Sequence, residues 1–114
     1  MHRPLKSAFE LEMNQALVWY YQFDFCKAFY HAERAHILGQ AYVWPHFRSH
    51  WLMMRIGWQQ GDYKQVTGQL PRLLASLFIS RIWVPAGNTG GVDVSPLRQM
   101  PIPEDLRELL NQNE

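Results

Sequence analysis

The chain has 114 residues, of which 47% are hydrophobic and 14% are aromatic, with five Trp. Eleven Lys and Arg stand against ten Asp and Glu, so the formal net charge is +1, and no run of like charge occurs. This length and apolar content predict a single domain that buries its own core. The balanced charge disfavours binding to nucleic acid, which selects a basic face.

Three further features bear on the location of the protein. Cys26 is the one cysteine, so an intramolecular disulfide is not possible. The first residues lack the apolar core of a signal peptide. The apolar stretch at residues 73–79, which Ser76 interrupts, is too short to span a bilayer. We therefore expect a cytoplasmic protein without a membrane span.

The first two predicted helices form a hairpin. Helix one is predicted over residues 5–22, and helix two over residues 24–38, with Asp24 as its N-cap and Gly39 ending it in a left-handed conformation. Apolar residues recur at helical spacing in helix one and predict its buried face: Phe9, Met13, Ala16, Leu17 and Tyr20.

A second hairpin is predicted to follow. Helix three begins near Pro45 and ends at Gly61, and helix four begins at Tyr63 after the N-cap Asp62. We expect Pro71 to kink helix four or make it restart. The apolar stripes predicted to be core are Trp44, Phe47, Trp51, Met54 and Trp58 in helix three, and Leu73, Leu74, Leu77 and Phe78 in helix four.

The last quarter of the chain has a different character. Residues 87–91 (Gly-Asn-Thr-Gly-Gly) predict a turn, for which a structural role is favoured over an anion-binding nest. Several prolines follow, and a short helix is predicted over residues 103–110. We thus divide the single helical domain (1–114) into helical hairpins (1–84) and a loop-rich tail packed on them (85–114).

The two hairpins resemble each other. Asp24-Phe25 and Asp62-Tyr63 open equivalent helices, and their separation is close to the tetratricopeptide repeat of about 34 residues. Matching small or aromatic positions are Ala16, Trp19, Ala28 and Ala35. The resemblance implies an all-α fold of two antiparallel helical hairpins. Stable stacks of this repeat usually contain at least three units, and this chain has two. A closed four-helix arrangement and a dimer are therefore alternatives to an open stack.

Most of the side chains that could bind a metal ion lie around the turn between helices two and three. His46 and His50 are four residues apart on one helix, and Glu33 and His36 form a Glu-x-x-His pair on the preceding one. Reversal of the chain after Gly39 would bring these four side chains to one point, with His31 less well placed. Imidazoles with one carboxylate suit a divalent transition metal: zinc, nickel, copper or iron.

Other interpretations stand beside the metal site. Histidines near helix ends often cap carbonyls or bond to buried polar groups, and we weigh this structural interpretation above the metal one, and acid–base chemistry below both. Cys26 near a helix start is more typical of a packing residue than of a nucleophile. The sequence has neither a nucleophile elbow nor a Walker loop, so an enzyme is not favoured.

Several motifs resemble a small bacterial family known only as a domain of unknown function. They are residues 31–40 (HAERAHILGQ), 46–54 with Gly68-Gln69, 85–91 (PAGNTGG) and 101–106 (PIPEDL). The resemblance covers most of the chain and implies a compact helical protein of bacterial origin. It implies no activity.

Two functions follow as hypotheses. The first is a helical-hairpin interaction module that binds a peptide or a protein partner as a homodimer, with Trp19, Tyr21 and Trp83 as contact residues. The alternative is a metal-binding protein that uses Glu33, His36, His46 and His50. A metal-dependent enzyme with an open coordination position is a weaker form of the second hypothesis.

Overall fold

The computed structural model describes residues 1–80 and 82–112, which form five helices: α1 (Arg3–Tyr21), α2 (Phe25–Gly39), α3 (Val43–Gln60), α4 (Tyr63–Ile79) and α5 (Glu104–Gln112). These residues contain no strand, so the predicted all-α class is confirmed. The helices pack in chain order, α1 on α2, α2 on α3 and α3 on α4, while α5 contacts α1 and α2. Within the described part α1 and α4 do not meet, so the four long helices form an open row rather than a closed bundle.

The predicted N-caps of the two hairpins are confirmed. The side chain of Asp24 accepts a hydrogen bond from the backbone N–H of Lys27, and Asp62 accepts one from Gln65, both at 3.1 Å. Each cap satisfies one of the free N–H groups in the first turn of a helix. Gly61 ends α3 in the left-handed conformation, with φ of 70°.

The prediction that Gly39 ends α2 in a left-handed conformation is wrong. Gly39 is the last residue of α2, and the glycines with positive φ in the described residues are Gly61, Gly87 and Gly90. A Cβ atom at position 39 would lie 2.8 Å from Phe9 Cε2 and 2.8 Å from Pro45 Cβ. Glycine is therefore needed here because α1 and the start of α3 approach its backbone closely.

The hydrophobic core lies mainly between α1 and α2. Ala28, Ala32 and Ala35 are fully buried and allow the two helices to approach each other closely. From α5, Leu106 closes the core. The predicted core face of α1 is confirmed at Phe9, Met13, Ala16 and Tyr20, which are buried, while Leu17 is partly buried against the core. Leu5 is buried as well.

The predicted core stripe of α3 is wrong at its three tryptophans, while Phe47 and Met54 are half-buried. The side chains of Trp44, Trp51 and Trp58 are 61%, 46% and 65% exposed. Because α3 packs between α2 and α4, it buries a different face, which includes His50 and Met53. Periodicity identifies an apolar face, but the neighbouring helices decide which face is covered.

The structure also corrects the prediction for α4. Of its predicted core residues only Leu73 is buried, whereas Leu74, Leu77 and Phe78 are exposed. The helix continues through Pro71 without a restart. The carbonyl left without a partner by that proline belongs to Thr67, which is exposed, so water can bond to it.

Candidate metal centre

Three histidines meet at the turn between α2 and α3. His36 lies in the last turn of α2, His46 in the first turn of α3, and His50 one turn later on the same face. The backbone N–H of Tyr42 donates to the carbonyl of Gly39 and closes the reversal between the two helices. The close approach at Gly39 keeps the two helix ends near each other.

The Nε2 atoms of the three histidines form an equilateral triangle. The distances between Nε2 of His36, His46 and His50 are each 3.1 Å. We searched the described residues for His, Cys, Asp and Glu side chains whose ligand atoms lie close enough together to hold one metal ion. These three histidines form such a group.

The Nδ1 atom of each ring faces a different hydrogen-bond partner. His36 Nδ1 lies 2.7 Å from the carbonyl oxygen of Asn88, and His46 Nδ1 lies 2.7 Å from Ser80 Oγ. His50 Nδ1 lies 2.5 Å from Gln69 Oε1. These contacts hold each ring at a fixed orientation.

The same partners fix the tautomer of each ring. A backbone carbonyl only accepts, so the Nδ1–H of His36 must donate to Asn88. The Oγ–H of Ser80 donates to the carbonyl of Ser76, which leaves the Ser80 oxygen to accept from His46. The side-chain NH₂ of Gln69 donates to the carbonyl of Gly90, so its oxygen faces His50 as an acceptor.

All three Nε2 atoms therefore present lone pairs to one another. A neutral histidine ring carries a proton on one of its two nitrogens. When Nδ1–H donates a hydrogen bond, Nε2 is left unprotonated with a free lone pair. Three lone pairs at 3.1 Å repel each other. A cation bound between them removes that repulsion.

Burial keeps the three imidazoles neutral. Desolvation, together with the neighbouring His50 and His46, holds the pKa of His36 well below its usual value of 6.5. Desolvation, together with His50, lowers the pKa of His46 to about 3. Desolvation also lowers the pKa of His50 to about 4, although the hydrogen bond to Gln69 opposes it. Neutral imidazole is the form that binds a metal ion.

The tail returns over the cluster and supplies part of it. Gly90, with φ of 83°, lies against the ring of His36, and a Cβ atom there would be 2.7 Å from His36 Cδ2. The guanidinium of Arg72 donates to the carbonyls of Gly90, Gly91 and Val94. Asn88, which is 1% exposed, donates to the carbonyls of Ser95 and Arg98. The turn predicted at residues 87–91 thus holds His36 in place.

A cavity of about 460 Å³ opens beside the three histidines, which form part of its wall. Most of the remaining wall is apolar and comes from α4 and the tail, including Pro71, Ala75, Ile79, Trp83 and Leu97.

Two residues named as candidate ligands from the sequence lie outside the converging group. Glu33 accepts a hydrogen bond from Thr89, and burial raises its pKa above the usual value. His31 Nδ1 lies 2.7 Å from Glu12 Oε2, and Glu12 also binds Arg34. His31 therefore belongs to an ionic network between α1 and α2.

Sequence reasoning missed the residues that orient the rings, Gln69, Ser80 and Asn88. A signal was present in α4 and at its C-cap, where buried polar residues recur at the spacing of the buried Leu73: Gln69, Ser76 and Ser80. Polar side chains on a buried helical face require partners within the protein.

Fold and site together define a small all-α protein with a buried three-histidine cluster. Among the described residues, no helix combines the length and apolarity needed to cross a bilayer. Residues 3–110 match the model of the family described as "Protein of unknown function (DUF3703)", and the chain belongs to that family. Neither a curated protein nor a solved structure matches the chain significantly.

Proposed function

We propose that this protein binds one divalent transition-metal ion, zinc by preference, through Nε2 of His36, His46 and His50. The observation that carries the proposal is the convergence of three Nε2 lone pairs whose Nδ1–H groups each donate to a partner within the protein. Metal-ligating histidines almost always have such a partner on the second nitrogen.

The size of the triangle supports an ion of this class. Zinc–imidazole bonds are about 2.0–2.1 Å long. With the three nitrogens 3.1 Å apart, bonds of that length place an ion about 1 Å from their plane, with N–metal–N angles of about 100°. That angle lies near the tetrahedral value. Calcium and magnesium are disfavoured because they select oxygen ligands.

The ligand count supports a reactive rather than a structural site. Structural zinc sites are closed by four protein ligands, whereas catalytic ones hold three and keep a fourth position open. The described residues supply three converging ligands, and these line the wall of a cavity.

The test is metal content of protein purified without a tag. We expect about one equivalent of zinc per chain, removable by chelator with loss of thermal stability, because a ligand that binds only the folded state stabilises it. His46→Gln and His50→Gln should lose the zinc. His31→Gln is the matched control, because it removes a histidine outside the cluster and should keep the zinc. Chelator-insensitive stability and no bound metal would refute the proposal.

A separate observation favours a second function, association with another copy of the chain. The exposed faces of α3 and α4 carry large apolar side chains: Trp44, Trp51, Trp58, Leu70, Leu74, Leu77 and Phe78. Large apolar side chains exposed in this number on two neighbouring helices favour an interaction surface. Of the contact residues predicted from the sequence, Tyr21 and Trp83 are exposed, while Trp19 is partly covered by Lys27. We propose a homodimer through α3 and α4.

A further inference from the structure

The cavity beside the three histidines has the properties of a ligand site. Its volume of about 460 Å³ lies within the range of about 300–1,000 Å³ that is usual for small-molecule sites. Because the three histidines form part of the wall, a molecule in the cavity would lie beside an ion bound to them.

The cavity offers few hydrogen-bonding groups to an occupant. Its polar side chains are already engaged within the protein: Gln40 donates to the carbonyl of Pro85, and Ser76 donates to the carbonyl of Leu73. The side-chain NH₂ of Asn88 donates to two carbonyls of the tail. The rest of the wall is dominated by aliphatic, proline and Trp side chains. An occupant would therefore have an apolar body and would find its polar anchor at the metal.

The charge around the cavity determines whether the polar group of a ligand should be anionic or cationic. Arg72 is part of the wall, imidazole binds a metal ion in its neutral form, and no acidic residue in the described part of the chain lines the cavity. Asp93 offsets some of the charge of Arg72 from outside the wall. With a divalent ion bound, the net charge at the cavity is positive, and this favours an anionic ligand.

From these observations we infer that the cavity binds a small organic carboxylate, with its carboxylate on the fourth position of the metal and its apolar body against the α4 and tail walls. The inference rests on the proposed metal site. Carboxylate oxygen is an established zinc ligand, and an apolar wall adds affinity in proportion to the area that it buries.

The experiment uses zinc-loaded protein and three probes: phenylacetate, acetate, and the neutral phenylacetamide. Titration calorimetry should give a dissociation constant for phenylacetate at least tenfold lower than for either of the others. Zinc-free protein should bind phenylacetate at least tenfold more weakly. In cobalt-loaded protein, phenylacetate should change the visible absorption bands of the metal, which report its coordination.

A pair of variants separates the cavity from the metal. Ala75→Phe fills the cavity and should weaken phenylacetate binding at least tenfold while zinc content is unchanged. Leu11→Phe, a substitution on the exposed face of α1 and outside the cavity wall, should leave both unchanged. If one equivalent of zinc binds but phenylacetate binds no better than acetate, the inference is overturned and the metal site stands. If no metal binds, both fail.

Discussion

The Nδ1 atom of His46, at the start of α3, lies 2.7 Å from the Oγ atom of Ser80, the residue that follows the last turn of α4. Ser80 donates its own hydrogen to the carbonyl of Ser76 and is 4% exposed. This contact joins the two helices of the second hairpin at the histidine cluster. It also fixes which nitrogen of His46 is free to bind a metal.

Removing that hydroxyl tests its role. We expect Ser80→Ala to raise the zinc dissociation constant about 10–100-fold, the usual effect of losing the partner of a metal-bound histidine. Ser80→Thr keeps the hydroxyl and should recover most of the affinity. Competition with a chromophoric chelator measures both. Equal affinity in the alanine and threonine variants would contradict this role.

A substitution at Gly90 tests whether the tail positions His36, and the same substitution at Gly61 is its control. Both have positive φ, but a Cβ atom at Gly61 meets nothing within 4 Å, whereas one at Gly90 meets the ring of His36. Gly61→Ala should cost about 1–2 kcal/mol of stability through backbone conformation alone. Gly90→Ala should cost about 1–3 kcal/mol more through overpacking and should weaken zinc binding. Urea unfolding and chelator competition measure the two effects. Unchanged zinc affinity in Gly90→Ala would show that the tail does not position His36.

The histidine convergence could be predicted from the sequence, and its surroundings could not. His36 and His46 lie within one turn of the same reversal, and His50 lies one turn further along α3, so helical spacing and the reversal together bring them to one point. Gln69 and Asn88 reach the site from α4 and the tail, and spacing within one helix says nothing about such distant partners. For the same reason the burial of Trp44 and Phe78 was predicted wrongly, since both faces are apolar at helical spacing but face away from the neighbouring helices.

Glu33 belongs to the ligand set predicted from the sequence but not to the group of side chains that converges in the structure. Burial raises its pKa, so the folded state binds a proton more readily than the unfolded state. Stability linked to this group is therefore present below the usual pKa of 4.5 and is lost as pH rises through the raised value.

We accordingly expect Glu33→Gln to retain one equivalent of zinc and to be more stable than the unsubstituted chain at neutral pH, with the difference vanishing below about pH 4. Glu108→Gln, on the exposed side of α5, is the matched control. Urea midpoints from pH 3.5 to 8 and metal analysis measure both. Loss of zinc from Glu33→Gln would return Glu33 to the ligand set.

The apolar face of α4 predicts the oligomeric state. Sedimentation equilibrium should give twice the chain mass, and Phe78→Glu should reduce it to the mass of one chain, because burying an unpaired carboxylate in an interface is costly. Leu11→Glu is the control, since Leu11 is similarly exposed but lies on α1. A monomeric unsubstituted chain, or equal effects of both substitutions, would refute the homodimer.

X-ray absorption at the zinc edge of the metal-loaded protein reports the coordination by the three histidines itself. The proposed site predicts one zinc ion bonded to three imidazole nitrogens at about 2.0–2.1 Å and to one further light atom, with the zinc signal lost in His46→Gln. Fewer than three imidazoles around the zinc, or a spectrum unchanged in that variant, would contradict it.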